Sequence, residues 1–203
     1  MAVCSPECMW TLTTASGSEP LTTAEAKAQI RSVQSQEDSL VDFYVKAARQ
    51  AAEDHLGRGL LTQTWTLALS DFVNVIPLPM ACPLDTVTTV KYYDVNGTQQ
   101  TLASTVYTVD CKSRPGRIAL AANQTWPAIQ STRRVNRIEI AYVVGYASSN
   151  LIPAAIMQGI RMYVGLMDTN RDGLDPTTGD ALRTIKAAFW TDRVFYTPPQ
   201  FDS

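Results

Sequence analysis

Apolar residues recur every three or four positions in two stretches near the start of the chain, which predicts two helices. The first runs from Leu21 to about Ser32, with Thr22 or Thr23 as its N-cap and Glu25 at the capping-box offset from Thr22. The second runs from Glu37 to Leu56, and Gly57 provides its C-terminal stop. The residues expected on its buried face are Leu40, Phe43, Tyr44, Ala47, Ala48, Ala51 and Leu56. The small alanines among them would allow another helix to approach closely.

From Leu61 the hydrophobic period changes to two, which is typical of strands with one buried face. Between Thr62 and Leu69, apolar residues alternate with threonines. The segment Ile76–Pro79 predicts a short edge strand, because proline cannot donate to a central ladder. Further strands are predicted over Val87–Val95, Gln99–Leu102, Val106–Asp110, Arg117–Leu120 and Val135–Val144, with turns at Asn96-Gly97 and Pro115-Gly116.

The helical period returns at Pro153, which suits the first turn of a third helix. Its expected buried residues are Ile156, Ile160, Tyr163, Val164 and Met167. A loop over Asp168–Gly179 leads to a fourth helix over Asp180–Asp192, with Leu182, Ile185 and Phe189 inward. The predicted fold class is therefore α+β, a helical body of two N-terminal and two C-terminal helices with an inserted antiparallel β module.

This pattern also predicts the domain organisation. Residues 1–20 show no periodicity and are expected to be a flexible or partner-ordered leader. Residues 21–193 are expected to form one α+β unit, with helices in 21–57, a β module in 61–147 and helices in 153–192. The end of the chain, 194–203, is a C-terminal arm whose aromatic residues and prolines are Phe195, Tyr196, Pro198, Pro199 and Phe201.

The composition is unusual in its low charge. Only 18% of the residues are charged, against about 25% in an ordinary soluble domain. Threonine alone supplies 23 of the 203 residues, so much of the polar surface is uncharged. The formal net charge of −2 disfavours a dedicated nucleic-acid binder, which usually carries a basic stripe. It also leaves little repulsion between copies of the chain.

No stretch of the sequence reads as a membrane anchor or a secretion signal. A membrane-spanning helix needs roughly 20 apolar residues in a row. The best stretch, Ile152–Met167, is interrupted by Gln158 and Arg161. Met1–Trp10 has no basic region followed by an apolar one. We therefore expect synthesis and assembly inside the cell.

The cysteines and the single histidine give little support to a metal site. Cys4 and Cys8 form a C-x3-C pair, but a zinc site would need the leader to fold back onto the distant Cys82, Cys111 or His55, so reduced, unpaired thiols are expected. His55 lies at a predicted helix end, where a positive imidazole favours the dipole. No G-x-S-x-G nucleophile motif is present. The sequence therefore predicts no catalytic residue, no metal and no cofactor.

Three further motifs have two interpretations each. Asp168–Gly173 matches the opening of a calcium loop, but Gly179 stands where the loop needs Glu, which favours a helix-terminating turn. Trp126-Pro127 is forced towards an extended backbone, and we favour a core plug over a binding contact. The densest basic cluster, Arg133, Arg134 and Arg137, is more simply a solvated loop than a DNA-phosphate contact.

Seven segments follow one another in a recognisable order: Leu21–Lys27, Gly57–Trp65, Arg114–Ile118, Trp126-Pro127, Tyr142–Tyr146, Ile152–Ile156 and Asn170-Arg171. Together they resemble the head–tail connector, or adaptor, family of tailed bacteriophages. The positions that carry the resemblance are Gly57, Arg58, Thr64, Trp65, Gly116, Arg117, Trp126, Pro127, Gly145, Tyr146, Pro153, Asn170 and Arg171. It spans about residues 21 to 190, and the loop 172–179 departs from it.

The resemblance implies a non-enzymatic ring protein without a cofactor or a membrane partner. Such adaptors bind beneath the capsid portal, usually as a dodecamer, and form the platform for stopper or tail proteins. Double-stranded DNA passes through the channel without sequence-specific binding. The expected location is the virion neck, after assembly in the bacterial host cytoplasm.

A ring subunit meets its neighbours through two different faces, and the cores of such interfaces are depleted in charge. The low charge of this chain fits that requirement. Residues 194–203 are a candidate docking arm for the portal or a neighbouring subunit, and packing on their own subunit is the alternative.

Three other functions remain as alternatives. A stopper or tail-completion protein would also form a ring at this junction. A monomeric β-module protein could bind a glycan through Trp126 and Tyr92. A hydrolase would need a cryptic catalytic geometry around His55.

Overall fold

The computed structural model describes residues 8–31, 37–132, 135–171 and 176–198. They form two compact units, each built from separate parts of the chain. The strand unit contains residues 8–15, 62–145 and 194–198, and the helical unit contains residues 16–61 and 146–193. The sequence predicted one unit over 21–193. The structure divides the chain differently because an N-terminal strand and the segment after Arg193 belong with the other strands.

The helical unit contains α1 (Thr23–Ile30), α2 (Asp38–Leu56), α3 (Ala154–Thr169) and α4 (Pro176–Phe189), with a 3-10 turn over Ser149–Leu151. At the start of α1, the Thr22 hydroxyl accepts from the Glu25 backbone N–H, and the Glu25 carboxylate accepts from the Thr22 backbone N–H at 2.9 Å. The predicted capping box is therefore confirmed. Gly57 ends α2 in the left-handed region, with φ 67°.

The predicted buried face of α2 is wrong for Leu40 and Phe43, both of which are exposed. The core instead takes the side of the helix that carries Val41, Tyr44, Val45, Ala48, Ala52 and Leu56. Apolar residues lie on both sides of α2, so the 3–4 residue spacing fits two different faces. The sequence pattern alone did not determine which face meets the neighbouring helices.

The C-terminal helices follow the prediction more closely. Pro153 caps α3, whose buried residues include Ile156, Ile160 and Val164. Helix α4 begins at Pro176, four positions before the predicted start, because proline suits the first helical turn. Residues 172–175 of the predicted loop lie outside the described residues. Trp190, after α4, is one of the largest fully buried side chains and was not predicted as core.

The strand unit contains two antiparallel sheets. The strands are β1 (Cys8–Thr14), β2 (Gln63–Leu69), β3 (Val75–Pro77), β4 (Leu84–Tyr93), β5 (Gln99–Thr101), β6 (Tyr107–Asp110), β7 (Arg117–Leu120) and β8 (Ile138–Val144). One sheet has the order β1-β2-β8-β4-β5, and the other has the order β3-β7-β6. The α+β fold class is confirmed, and β3 is the edge strand that its proline predicted.

Strand β1 corrects the leader predicted over residues 1–20. It pairs antiparallel with β2, from Cys8 opposite Leu69 to Leu12 opposite Trp65, and an irregularity follows before Thr14. The segment is short and surrounded by small polar residues, so its strand character depends on pairing with β2. Residues 1–7 lie outside the described part of the chain.

The core of the strand unit contains residues from both sheets. Leu67, Ile140 and Tyr142 of the larger sheet share one core with Ile76 and Ile118 of the smaller one. Burial raises the pKa of the Tyr142 hydroxyl, which donates to the Pro79 carbonyl at 2.9 Å. The core therefore includes a polar group whose hydrogen bond is satisfied.

Candidate functional site

Buried charges hold the junction after α2, where the resemblance to connector proteins is densest. The Glu53 carboxylate accepts from Arg49 Nη1 at 2.7 Å and from the Leu60 backbone N–H at 2.9 Å. Arg49 also donates to Glu19 at 2.7 Å. Burial lowers the pKa of Arg49, but the hydrogen bonds and charges of Glu19 and Glu53 outweigh it and raise the pKa overall. Arg49 therefore stays charged and fixes the path of the chain out of α2.

Arg58, a predicted motif residue, is an interior residue with only 1% of its surface exposed. Its guanidinium donates to the Asp192 carboxylate at 2.6 Å and to the Asp192 carbonyl. This pair joins the end of α2 to the segment after α4. Arg58 therefore serves the fold of the helical unit and does not lie on a surface that a partner could reach.

The motif glycines permit close backbone approaches in the strand unit. A Cβ at Gly116 would lie 2.6 Å from the Leu84 Cβ, and the Gly116 N–H donates to the Ala81 carbonyl at 2.7 Å. Gly145 has φ 98° and donates to the Pro83 carbonyl at 3.0 Å. These positions therefore require glycine for geometric reasons.

Other motif positions lie at element boundaries or within the sheets. Thr64 and Trp65 belong to β2, opposite Val143 and Tyr142 of β8. Arg117 forms a half-exposed pair with Asp110 at 3.0 Å.

In the helical unit, the Tyr146 N–H donates to the Leu60 carbonyl at 3.0 Å, and Asn170 Nδ2 donates to the Leu166 carbonyl at 2.9 Å. Pro153 is the N-cap of α3. Within each unit, these motif positions thus take part in the hydrogen bonds and packing of the fold.

Arg171 lies between two of the positions at which a calcium loop would place ligands. Its guanidinium donates to Asp168 and, at 2.8 Å, to Glu37. The hydrogen bonds to Glu37 and Asp168 raise the pKa of Arg171. The Asp168 carboxylate is thus engaged with a cation, as in a helix-terminating turn. Among the described residues, no three His, Cys, Asp or Glu side chains come together as a metal site.

Trp126 packs within the strand unit. Its ring stacks on Phe72 with centroids 4.5 Å apart and planes 4° apart, and Tyr92 contacts Phe72 edge-on at 6.2 Å. Trp126 is half-buried, as is the adjacent Pro127. This is the packing that the core-plug interpretation predicts. Trp126 and Tyr92, the two residues of the glycan-binding alternative, therefore both contact the Phe72 ring.

His55 lies beside aromatic and cationic groups. The Trp190 ring centroid is 6.1 Å away. Burial, followed by the charges of Lys186 and Arg193, lowers the pKa of His55. In a hydrolase, a carboxylate would orient the imidazole and stabilise its charged form. Here burial and the charges of Lys186 and Arg193 oppose that charge, and a backbone hydrogen bond with Trp190 offsets only part of their effect on the pKa.

The basic cluster is partly committed to the fold. Arg137 donates to the Ser70 carbonyl and, at 3.1 Å, to the Asp71 carboxylate. Arg133 and Arg134 lie outside the described residues.

Cys82 is buried and Cys111 is exposed, and neither forms a disulfide. None of the described helices is long and apolar enough to cross a membrane.

One face of the larger sheet carries mostly uncharged side chains. Thr11, Thr66, Ala141 and Thr89 form one row across four strands, by the register of their pairing. Alternate rows point the other way and place Ile140 and Tyr142 in the core. We call the face that carries the row of Thr11, Thr66, Ala141 and Thr89 the threonine face. It accounts for part of the low charge seen in the composition.

The C-terminal arm is partly packed on the strand unit. Val194 is buried, and the Tyr196 ring meets Trp10 edge-on, with centroids 5.2 Å apart. Phe195 between them is 72% exposed, and Pro198 is half-buried. Pro199 and Phe201 lie outside the described residues. Within the described part of the arm, Phe195 is therefore the large apolar side chain that is mostly exposed.

Comparisons with known proteins link the chain to solved structures. No family model matches it, and no curated protein matches it. It is similar to a chain from the neck of an empty gene transfer agent (GTA) particle computed with C6 symmetry, at 23% identity and a TM-score of 0.74. It is also similar to chains from the virion of a native GTA particle (23%, TM-score 0.69) and from the neck of a native GTA particle computed with C12 symmetry (21%, TM-score 0.71).

Each of these matches covers 93% of this chain and 97% of the matched chain. The similarity therefore extends over both units and is not restricted to one of them. At this level of identity it establishes the fold, which is that of a chain in these particles.

Proposed function

We propose that this chain is a structural head–tail adaptor that forms a ring in the neck of a phage-like particle. In this role it lies beneath the capsid portal, joins head to tail and lets the genome pass through its channel. The observation that carries the proposal is the near-complete match, in both directions, to chains from GTA necks.

The proposed ring consists of copies of this chain, twelve in number. The necks that contain its structural neighbours were computed with C12 and C6 symmetry, and a dodecamer is compatible with both. The further partners are the portal on one face and stopper or tail proteins on the other. Assembly takes place in the bacterial host cytoplasm, and the mature location is the virion neck.

In the proposed role, the genome is a neighbour and not a ligand. Strong neutralisation of phosphates would give tight, salt-dependent binding and would hinder passage of the DNA. The net charge of −2 and the internal pairing of Arg58 and Arg137 support a channel that does not hold the DNA.

A structural, non-enzymatic role also fits the described side chains. The pKa of His55 is lowered by burial and by cations, and Asp168 is engaged with Arg171. If the role is structural, His55→Ala leaves assembly intact, whereas a hydrolase would lose its activity.

Electron microscopy of the purified protein, alone and mixed with portal, tests the proposal. We expect annular particles that attach to the portal. A monomer at every concentration that also fails to bind portal would overturn it. A ring that attaches only to particles already carrying another adaptor would instead identify a stopper.

We further propose that the C-terminal arm docks on the portal through Phe195. Val194 and Tyr196 hold the segment on the strand unit, and the Phe195 side chain is 72% exposed. The test compares Phe195→Ser with Val95→Ser, another exposed apolar residue in the same unit. Attachment to portal-bearing heads should weaken only for Phe195→Ser. Equal attachment of both variants would refute the docking role.

A further inference from the structure

Helix α2 has a second apolar face that its own unit does not bury. The core side carries Val41, Val45 and Ala52. On the opposite side, Phe43 is 61% exposed and Leu40 is 36% exposed. Ala47 continues this side one turn later and is half-buried. Residues three and four positions apart lie next to each other on a helix, so the three form one stripe.

The stripe can be covered without leaving the nearby acidic groups unpaired. At the start of α2, Asp38 binds Lys27 at 2.6 Å. One turn later, Asp42 accepts a hydrogen bond from the Thr23 hydroxyl at 2.6 Å. Both acidic residues are thus already engaged within the helical unit. A partner therefore meets aromatic and aliphatic surface beside two acidic groups that are already hydrogen-bonded within the unit.

We propose that this α2 stripe, Leu40, Phe43 and Ala47, contacts a second copy of this chain. The inference rests on the proposed ring, in which every copy has another copy on either side. Chains of this fold come from particle necks that were computed with C6 and C12 symmetry, which fits a ring of copies. The small net charge of −2 allows copies to approach with little repulsion.

The shape of the stripe also suits such a neighbour. A phenylalanine that stands out from a helix is an aromatic anchor of the kind that dominates interfaces. The small side chain of Ala47 beside it allows close approach of the opposing surface. Because a ring contact is heterologous, Phe43 meets a different surface of the neighbouring copy rather than its own equivalent.

The first test compares Phe43→Lys with the wild type and with Val95→Lys, a residue of similar exposure in the strand unit. Lysine is a good helix former, and position 43 is exposed, so the thermal unfolding midpoint should not change. Native mass spectrometry then gives the protein concentration at which rings form. We expect this concentration to rise at least about tenfold for Phe43→Lys alone, as for the loss of an anchor residue.

Wild-type-like ring formation by Phe43→Lys would overturn the inference and leave the proposed function intact. Equal impairment of ring formation in Phe43→Lys and Val95→Lys would also count against the inference, because the α2 stripe would then contribute no more to the contact than another exposed apolar residue. Failure of the wild type to form rings, alone or with portal, would instead contradict the proposed function itself.

A photo-crosslinking amino acid at position 43 provides a second test in assembled particles. Covalent dimers of this chain support the inference. Crosslinks exclusively to portal or tail proteins would overturn it.

Discussion

Gly159 of α3 lies directly against the indole of Trp190. A Cβ at position 159 would come within 2.9 Å of Trp190 Cδ1 and closer still to Nε1. The indole N–H donates to the Ile156 carbonyl at 3.4 Å, in the same helix. Glycine at this position therefore provides the space in which the large buried ring packs.

The first prediction concerns this contact. Gly159→Ala should destabilise the protein by ~1–3 kcal/mol because the buried ring must move. Gly165→Ala is the control in the same helix, where the nearest atom to a new Cβ is 4.0 Å away. There, the change should be neutral or stabilising by up to ~1 kcal/mol, since alanine favours helix. Urea unfolding measures both, and equal effects at the two positions would refute the packing argument.

The second prediction concerns the buried pair of Arg49 and Glu53, whose side chains are 4% and 7% exposed. Glu53→Gln should lower the free energy of unfolding by ~1–3 kcal/mol, because it removes one carboxylate partner of the buried Arg49 and leaves Glu19 as the other. Asp180→Asn breaks the exposed pair with Arg183 and should change stability by no more than ~0.5 kcal/mol. A loss for Glu53→Gln as small as for the control would contradict the role of Glu53 in the junction.

The third prediction is a pH dependence from His55, the single histidine of the chain. Its pKa is lower in the folded state than the ordinary value of 6.5, so the unfolded chain binds a proton first as the pH falls. Stability should therefore be constant above about pH 6.5 and decline below it, until the folded-state pKa is passed. Chemical denaturation at a series of pH values measures this decline.

The matching control for that profile is His55→Gln. This variant should lose the decline just below pH 6.5 and keep any decline at lower pH, where carboxylates titrate. The same slope in both proteins would show that His55 is not its source.

The fourth prediction separates two adjacent aromatic residues of the arm. Tyr196→Ser should lower the free energy of unfolding of the strand unit. The loss of the aromatic pair with Trp10 alone should cost ~0.5–1.5 kcal/mol, and the loss of buried apolar area should add to that. Phe195→Ser should leave stability within ~0.5 kcal/mol, because the side chain is exposed. Thermal unfolding followed by tryptophan fluorescence tests both, and the reverse order of effects would contradict the packing described.

Local sequence signals predicted much of the fold. The capping box at Thr22, the stop at Gly57 and strand β7 over Arg117–Leu120 follow from residues near one another in the chain. The misassigned parts depend on distant partners. Strand β1 needs β2, and the burial of Trp190 needs the space beside Gly159.

The candidate site was predictable only in part, for the same reason. Arg58 looked like a motif residue, but its role became visible only through Asp192, far along the chain. The α2 stripe contains three of the seven residues predicted to be buried on this helix, and the choice between the two faces of the helix depends on which helices pack against it. A single sequence does not determine that choice.

The contact between Trp10 and Tyr196 has a consequence for synthesis of the chain on the ribosome. Almost the whole sequence separates these two residues, and the helical unit is made between them. Strand β1 emerges well before the aromatic partner that covers its Trp10. The strand unit therefore cannot be completed until Tyr196 has left the ribosome, and until then the edge at β1 is less protected than in the folded protein.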